Sequence, residues 1–190
     1  MRSHRETEIK LRVASAREAR GLLKTAGFSA CRRRVIEDNV ILDTPDLQVR
    51  KQGSVLRVRT AGGNATLTYK GPGAIGGRHK SREELEIAIS DAATVLAILE
   101  RLGFRPVFRY QKYRTEYCQP GARGVVMLDE TPIGCYLEVE GSPRWIDRTA
   151  RKLGFSEQDY ITASYGALYV QFCVGQGTQA ADMVFRRRPT

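Results

Sequence analysis

Histidine is nearly missing from this chain: His4 and His79 are the only two. A Ser-His-Asp triad or a histidine-rich metal centre therefore has almost nothing to be built from. Cysteine is also sparse. Cys31, Cys118, Cys135 and Cys173 are scattered with no C-x-x-C pair, which argues against a zinc site or a disulfide framework. They read as buried or free thiols of a reducing compartment, so a cytoplasmic location is expected. No apolar run approaches the ~18 residues of a membrane span, and no basic start leads into an apolar stretch of secretory type. No membrane partner is expected.

What is present is a globular composition over 190 residues, 42% hydrophobic and 27% charged, with a net charge of +10. That length suits one domain with a proper core. A basic excess of this size suits nucleic acid, phosphates or another polyanion. Part of it is local, in Arg32–Arg34 and Arg186–Arg188. Residues 1–174 read as a single domain and residues 175–190 as a basic, flexible tail that ends in "FRRRPT".

Turn and cap signals divide the chain into about eight strands and four helices, mostly joined by short turns, so antiparallel pairing is expected. "SAREARGLLKTAGF" has Ser15 as N-cap and Gly27 as stop; "SDAATVLAILERLGF" starts at Ser90 and Asp91. "SPRWIDRTARKLGF" carries Pro143 near its first turn, and "YITASYGALYVQF" reads as the fourth helix. "GPGAIGGRHK" reads as a flexible loop at one mouth of the fold, and His79 within it is not expected to touch substrate.

The strands share an unusual face. In "ETEIKLRV", Thr7, Ile9, Leu11 and Val13 fall on one side, and Glu6, Glu8, Lys10 and Arg12 on the other. Arg57 and Arg59 oppose Leu56 and Val58. Lys70 lies opposite Leu67 and Tyr69. Arg82, Glu84 and Glu86 oppose Leu85 and Ile87, Lys112 and Arg114 oppose Tyr113, and Glu138 and Glu140 oppose Leu137 and Val139. Asp129 shares a face with Met127. One such strand is an ordinary half-wetted strand. Repeated around a sheet whose other face is covered by helices, the pattern predicts a closed barrel of mainly β, α+β class with a charged interior. Mixed charge inside a barrel is costly unless it pairs or binds ions. Bases suit a polyanion, and paired carboxylates suit a hard divalent cation such as Mg²⁺ or Mn²⁺. So many carboxylates among the bases make the same surface a poor one for nucleic acid.

These residues also carry a family resemblance. "ETEIK" resembles the E-x-E-x-K signature of the CYTH superfamily, the triphosphate tunnel metalloenzymes. "LDTPD" before "GSVLRVR", then "LTYKGP", "SREELEI", "YRTEY" and "LDETPIGCYLEVEG" follow in the family's order, and "TASYGALYV" resembles its late Ser-Tyr helix. The resemblance runs from Glu6 to about Phe172. It implies a closed eight-stranded antiparallel tunnel flanked by helices, which binds a small-molecule triphosphate and uses Mg²⁺ or Mn²⁺. Carried over by position, Glu6, Glu8, Glu138 and Glu140 are the expected metal ligands. Lys10, Arg57, Arg59, Lys70 and Arg114 grip phosphate, and together with Glu6 and Glu8 they form the expected catalytic set. Lys112 and Arg82 add substrate contacts, with Arg12 in a lesser place. Asp129, with Glu84 or Glu86, binds a second metal or holds the bases in place, and for Glu84 and Glu86 a catalytic role stands level with plain salt bridging to neighbouring bases.

The family divides by chemistry. Triphosphatases let water attack the terminal phosphorus of inorganic triphosphate, thiamine triphosphate or a nucleotide. Class IV adenylyl cyclases convert ATP to cyclic AMP and pyrophosphate. The first is the leading expectation, the second the alternative, and a non-catalytic polyphosphate or RNA binder stands third. Val55 occupies a position that is aromatic in mammalian-type thiamine triphosphatases, which weakens the case for a thiamine head; Tyr69, Tyr113 or Tyr136 are left as stacking residues. The motifs do not fix the preferred triphosphate, and monomer and homodimer both remain open.

Overall fold

Strict alternation of apolar and charged side chains suits a strand with one face packed and one face turned to a wet interior. The computed structural model, which describes residues 4–73 and 77–186, realises that arrangement around a full circle. Strand β1 (His4–Val13) leads into helix α1 (Ala16–Thr25), the long strand β2 (Ser29–Asp43) and a single helical turn, α2 (Gln48–Lys51). The hairpin β3 (Val55–Ala61) and β4 (Asn64–Lys70) precedes β5 (Lys80–Ile89) and helix α3 (Ala92–Arg101). Strands β6 (Arg105–Cys118), β7 (Val125–Thr131) and β8 (Gly134–Glu140) follow, then helix α4 (Pro143–Lys152), a 3-10 turn (Glu157–Asp159) and helix α5 (Tyr165–Gly175). The strand order is β1-β5-β4-β3-β2-β6-β7-β8, every neighbour antiparallel, and β8 returns to β1 to close the barrel.

The main core lies outside the barrel wall. Ile9, Leu11 and Val13 of β1, Val126 and Leu128 of β7, and Leu137 and Val139 of β8 are covered by Ala19 and Leu23 of α1 and by Ile146 and Ala150 of α4. Both helices start where the sequence places them. The Glu18 N–H donates to Ser15 Oγ at the head of α1, and Pro143 occupies the first turn of α4. Trp145 lies flat against Gly124 and Gly141; a Cβ on Gly124 would meet its ring at 2.4 Å. A smaller cluster of Tyr110, Ile133, Tyr136, Tyr165 and Met183 gathers where α5 meets the barrel.

Four features depart from the sequence expectations. Helix α2 is an additional turn, held because Asp43 accepts the N–H groups of Val49 and Arg50. The last helix begins at Tyr165, since Ile161 instead exchanges two backbone hydrogen bonds with Lys10, both 2.9 Å. Cys31 and Cys118 are not free thiols: they form a disulfide, with Cα atoms 5.7 Å apart. They lie 87 residues apart in sequence, and only the pairing of β2 with β6 makes them neighbours. Cys135 and Cys173 are free. Finally, part of the segment read as a flexible tail is anchored. Met183 is 1% exposed, and its backbone bonds Arg109 and Gln111 at 2.9 Å. Residues 187–190 and residues 74–76, within the glycine-rich loop, lie outside the described residues.

Candidate functional site

The inward faces of the strands bring together fourteen of the fifteen charged residues singled out from the sequence, all but Arg12. Cross-strand register sets the contacts. Glu8 lies opposite Glu140 and Lys10 opposite Glu138 on the β1–β8 pair, while Glu6 lies opposite Arg82 and Glu8 opposite Lys80 on the β1–β5 pair. Lys10 Nζ donates to Glu8 Oε1 at 3.0 Å and sits 3.7 Å from Glu138. Lys70 donates to Glu6 and lies 3.2 Å from Glu84. Arg59 reaches Glu86 at 3.2 Å and Glu37 at 3.5 Å, and Arg57 is 3.8 Å from Glu86. Asp129, fully buried, accepts from both Lys112 and Arg114, and Arg114 also reaches Glu138 at 3.2 Å.

The sequence reading missed several wall residues. Glu37 lies 3.5 Å from both Arg59 and Lys112. Lys80 donates to Glu8 Oε1 at 2.8 Å. Tyr165, the first residue of α5, projects between Lys10 and Lys112, whose ammonium groups lie 5.2 and 5.0 Å from its ring, and its hydroxyl donates to Asp129 at 2.6 Å. The signal for Tyr165 was present in the Ser-Tyr helix motif; its direction was not. By contrast, Arg12 is exposed. Tyr113 carries the Arg34 guanidinium on its ring at 3.5 Å, and Tyr69 bonds Ser54, so neither is a free stacking surface. His79 turns to α4, where its Nε2 lies 2.7 Å from Asp147 Oδ1, beside Arg78 at 2.8 Å from Oδ2.

Counted with Glu37 and Lys80, the wall opposes Lys10, Arg57, Arg59, Lys70, Lys80, Arg82, Lys112 and Arg114 with Glu6, Glu8, Glu37, Glu84, Glu86, Asp129, Glu138 and Glu140. It is therefore close to neutral, and the net charge of +10 resides outside the tunnel. Balance is uneven along the wall. Burial would raise Glu138, but Lys10 and Arg114 hold it well below the carboxylate range. Burial also opposes the ionised form of Glu37, yet Lys112, Arg114 and Arg59 lower it to about 2. At Glu140, burial and the nearby Glu6, Glu138 and Glu8 act together and push the carboxyl up to about 7. Lys80 falls to about 8 through burial and the neighbouring Lys10. Carboxylates are thus in excess where β1 meets β8.

That acid-rich end has the donor chemistry of a hard divalent cation: oxygen ligands only, and more negative charge than the adjacent lysines offset. Among the described residues no three acids stand together as a ready-made cage, because Glu6 and Glu8 are turned onto Lys70, Lys10 and Lys80. On the same wall, the Nε atoms of Arg57 and Arg82 are buried without a hydrogen-bond partner. Such unpaired donors suit an anionic ligand. The charged wall is continuous with a cavity of about 1360 Å³.

Comparison with known proteins agrees with this architecture. The CYTH domain family model matches residues 4–165. A protein of Methanocaldococcus jannaschii named "putative adenylate cyclase" is 32% identical over 137 residues, which is 72% of this chain and 77% of that protein. A Pyrococcus horikoshii protein of known structure superposes with a TM-score of 0.73 at 26% identity, covering 88% of this chain and 99% of that one. The fold is shared with a Hippeastrum protein described as a putative adenylyl cyclase with a dominant triphosphatase activity, at a TM-score of 0.64 and 18% identity over 92% of this chain and 97% of that one. With its closed tunnel of alternating acids and bases and a family match over most of its length, the chain belongs to the CYTH domain family.

Proposed function

We propose that the chain is a divalent-metal-dependent phosphohydrolase that holds a triphosphate inside the tunnel. The observation that carries this reading is the ring of inward bases on a closed barrel, most of them paired with carboxylates that a polyanion can replace. Lys10, Arg57, Arg59, Lys70 and Arg114 would bond the non-bridging phosphate oxygens, aided by Arg82 and Lys112. Their fixed positions align the chain and neutralise charge as it shifts to the leaving group. Asp129 offsets the repulsion between Lys112 and Arg114 and holds both in place, and the Tyr165 hydroxyl donates to Asp129. Glu6, Glu8, Glu138 and Glu140 are the residues that would hold Mg²⁺ or Mn²⁺. Such an ion supplies charge neutralisation and a more acidic bound water.

Hydrolysis requires only water in a wet cavity, whereas cyclisation needs a ribose 3′-hydroxyl held in line with the α-phosphorus. The name of the Methanocaldococcus jannaschii relative favours cyclisation as the second reading, and the printed description of the Hippeastrum neighbour favours hydrolysis for a protein of this fold. A single assay separates them. Purified protein is given ATP, inorganic triphosphate or thiamine triphosphate with Mg²⁺, Mn²⁺ or EDTA, and orthophosphate, pyrophosphate and cyclic AMP are resolved. Metal-dependent orthophosphate supports the hydrolase. Cyclic AMP with equal pyrophosphate replaces it with the cyclase, and bound substrate with no product overturns both.

A further inference from the structure

Strand β5 opens with side chains that alternate across the barrel wall. His79 turns outward to α4, Lys80 inward to Glu8, and Ser81 outward to Thr7. Lys80 is the first residue of the strand, and its pairing with Glu8 is the last rung of the β1–β5 ladder. A strand end beside a glycine-rich loop is expected to fray. Lys80 Nζ nevertheless lies 2.8 Å from Glu8 Oε1, the same oxygen that Lys10 reaches at 3.0 Å. The restraint on that strand end lies outside the tunnel.

Asp147, in the second turn of α4, supplies it. Its Oδ1 lies 2.7 Å from His79 Nε2 and accepts from the Tyr160 hydroxyl at 3.2 Å, and its Oδ2 accepts from Arg78 at 2.8 Å. Asp147 has a firm base, because the preceding Trp145 and Ile146 are buried against the barrel. Arg78 is half exposed, so its own ion pairs contribute little stability. The His79–Asp147 contact is different: both side chains are almost covered, and it fixes the residue next to Lys80. Tyr160 carries the same anchor to a second place. It precedes Ile161, whose backbone exchanges two bonds with Lys10 where β5 no longer covers β1. One outer carboxylate thus ties down both segments that flank Glu8 and Lys10. None of Arg78, His79, Asp147 and Tyr160 lines the tunnel cavity, so any part they play in binding is indirect.

We propose that Asp147 is a positioning residue for the cation site: through His79 it pins the start of β5, so that Lys80 holds Glu8 in one orientation. Both lysines engage Oε1 of Glu8, which leaves Oε2 as the oxygen to offer a cation. This rests on the metal-dependent reading above. Loss of an outer partner that orients a metal ligand commonly lowers metal affinity or activity ~10–100-fold.

The test is equilibrium binding of inorganic triphosphate to the full chain, by calorimetry, in Mn²⁺ and in EDTA. The ratio of the two affinities reports the contribution of the metal. Asp147→Ala and His79→Ala should each lower that ratio ~10-fold or more, with affinity in EDTA and melting temperature little changed. His79→Gln, which keeps a donor in the place of Nε2, should restore the parent ratio. With Lys80→Met already present, His79→Ala should lower the ratio no further, because both changes act on one contact. A ratio unmoved by Asp147→Ala and His79→Ala, or an effect of His79→Ala that persists in full beside Lys80→Met, would overturn the inference and leave the tunnel reading intact. Equal losses in Mn²⁺ and EDTA would also overturn it, since the cluster would then act on the fold as a whole. A parent ratio of one would remove the cation site, and failure of the parent to bind in either buffer would remove the tunnel reading, each taking the inference with it.

Discussion

Glu8 and Glu138 illustrate how much a single side chain does in this wall. Each is buried, each touches Lys10, and each would donate to the cation in the proposed reaction. Replacement by glutamine keeps the volume and removes the charge. Glu8→Gln and Glu138→Gln should each lower kcat by at least ~100-fold on the best triphosphate, with the circular-dichroism spectrum unchanged. Full turnover in both would sink the metal assignment. Glu37 makes a different prediction, about stability. Its carboxyl titrates near 2 in the folded chain against 4.5 for the unperturbed group. As pH falls through about 4.5 the unfolded chain takes up this proton first, so the stabilisation present above that pH is lost progressively until pH falls below about 2. At neutral pH the linkage contributes on the order of 3 kcal/mol. Glu37→Gln should therefore unfold at lower denaturant than the parent at pH 7, and the gap should narrow steadily toward pH 2. A gap that is constant with pH would show that Glu37 acts through packing alone.

Elements are joined by contacts that leave little room. Helix α4 seats its indole on two glycines of the β-wall, and Trp145 is the chain's single tryptophan. Gly124→Ala should cost about 1–3 kcal/mol through overpacking and change the intrinsic fluorescence of the folded protein. Unchanged melting and emission would mean that the helix shifts freely on the barrel, against the close contact described above. Strands β2 and β6 are joined covalently by Cys31–Cys118 across 87 residues of sequence. Closing so long a loop restricts the unfolded chain, so Cys31→Ser with Cys118→Ser should lower stability by about 2–4 kcal/mol in non-reducing buffer. The parent should approach the variant once a reductant is added. Identical denaturation curves without reductant would show that the bond does not form in solution.

At the level of the whole molecule, charge and topology were legible to different degrees. Strands β1, β3, β5 and β8 alternate cleanly, so their inward residues could be named from the sequence, and the run of motifs from Glu6 onward fixed the family resemblance. Strand β2 hid its contribution. Glu37 and Asn39 face in while Asp38 faces out to Arg109, so polar residues occupy both faces and period two gives no contrast. Lys80 extends the run of Arg82, Glu84 and Glu86 by one step, but it directly follows the glycine-rich loop, where nothing local marks the strand's start, and Tyr165 enters the tunnel from a helix, outside any alternating run. By itself, then, the sequence determined which strands are amphipathic, where α1, α3 and α4 begin and that acids and bases share one face. Those are local properties, set by side-chain periodicity and by caps within a few residues. Tertiary structure alone decided which base meets which acid, that Cys31 reaches Cys118, and that His79 reaches Asp147 of α4. The reason is physical: these contacts depend on the order in which distant strands pair as the barrel closes, and no single strand carries that information.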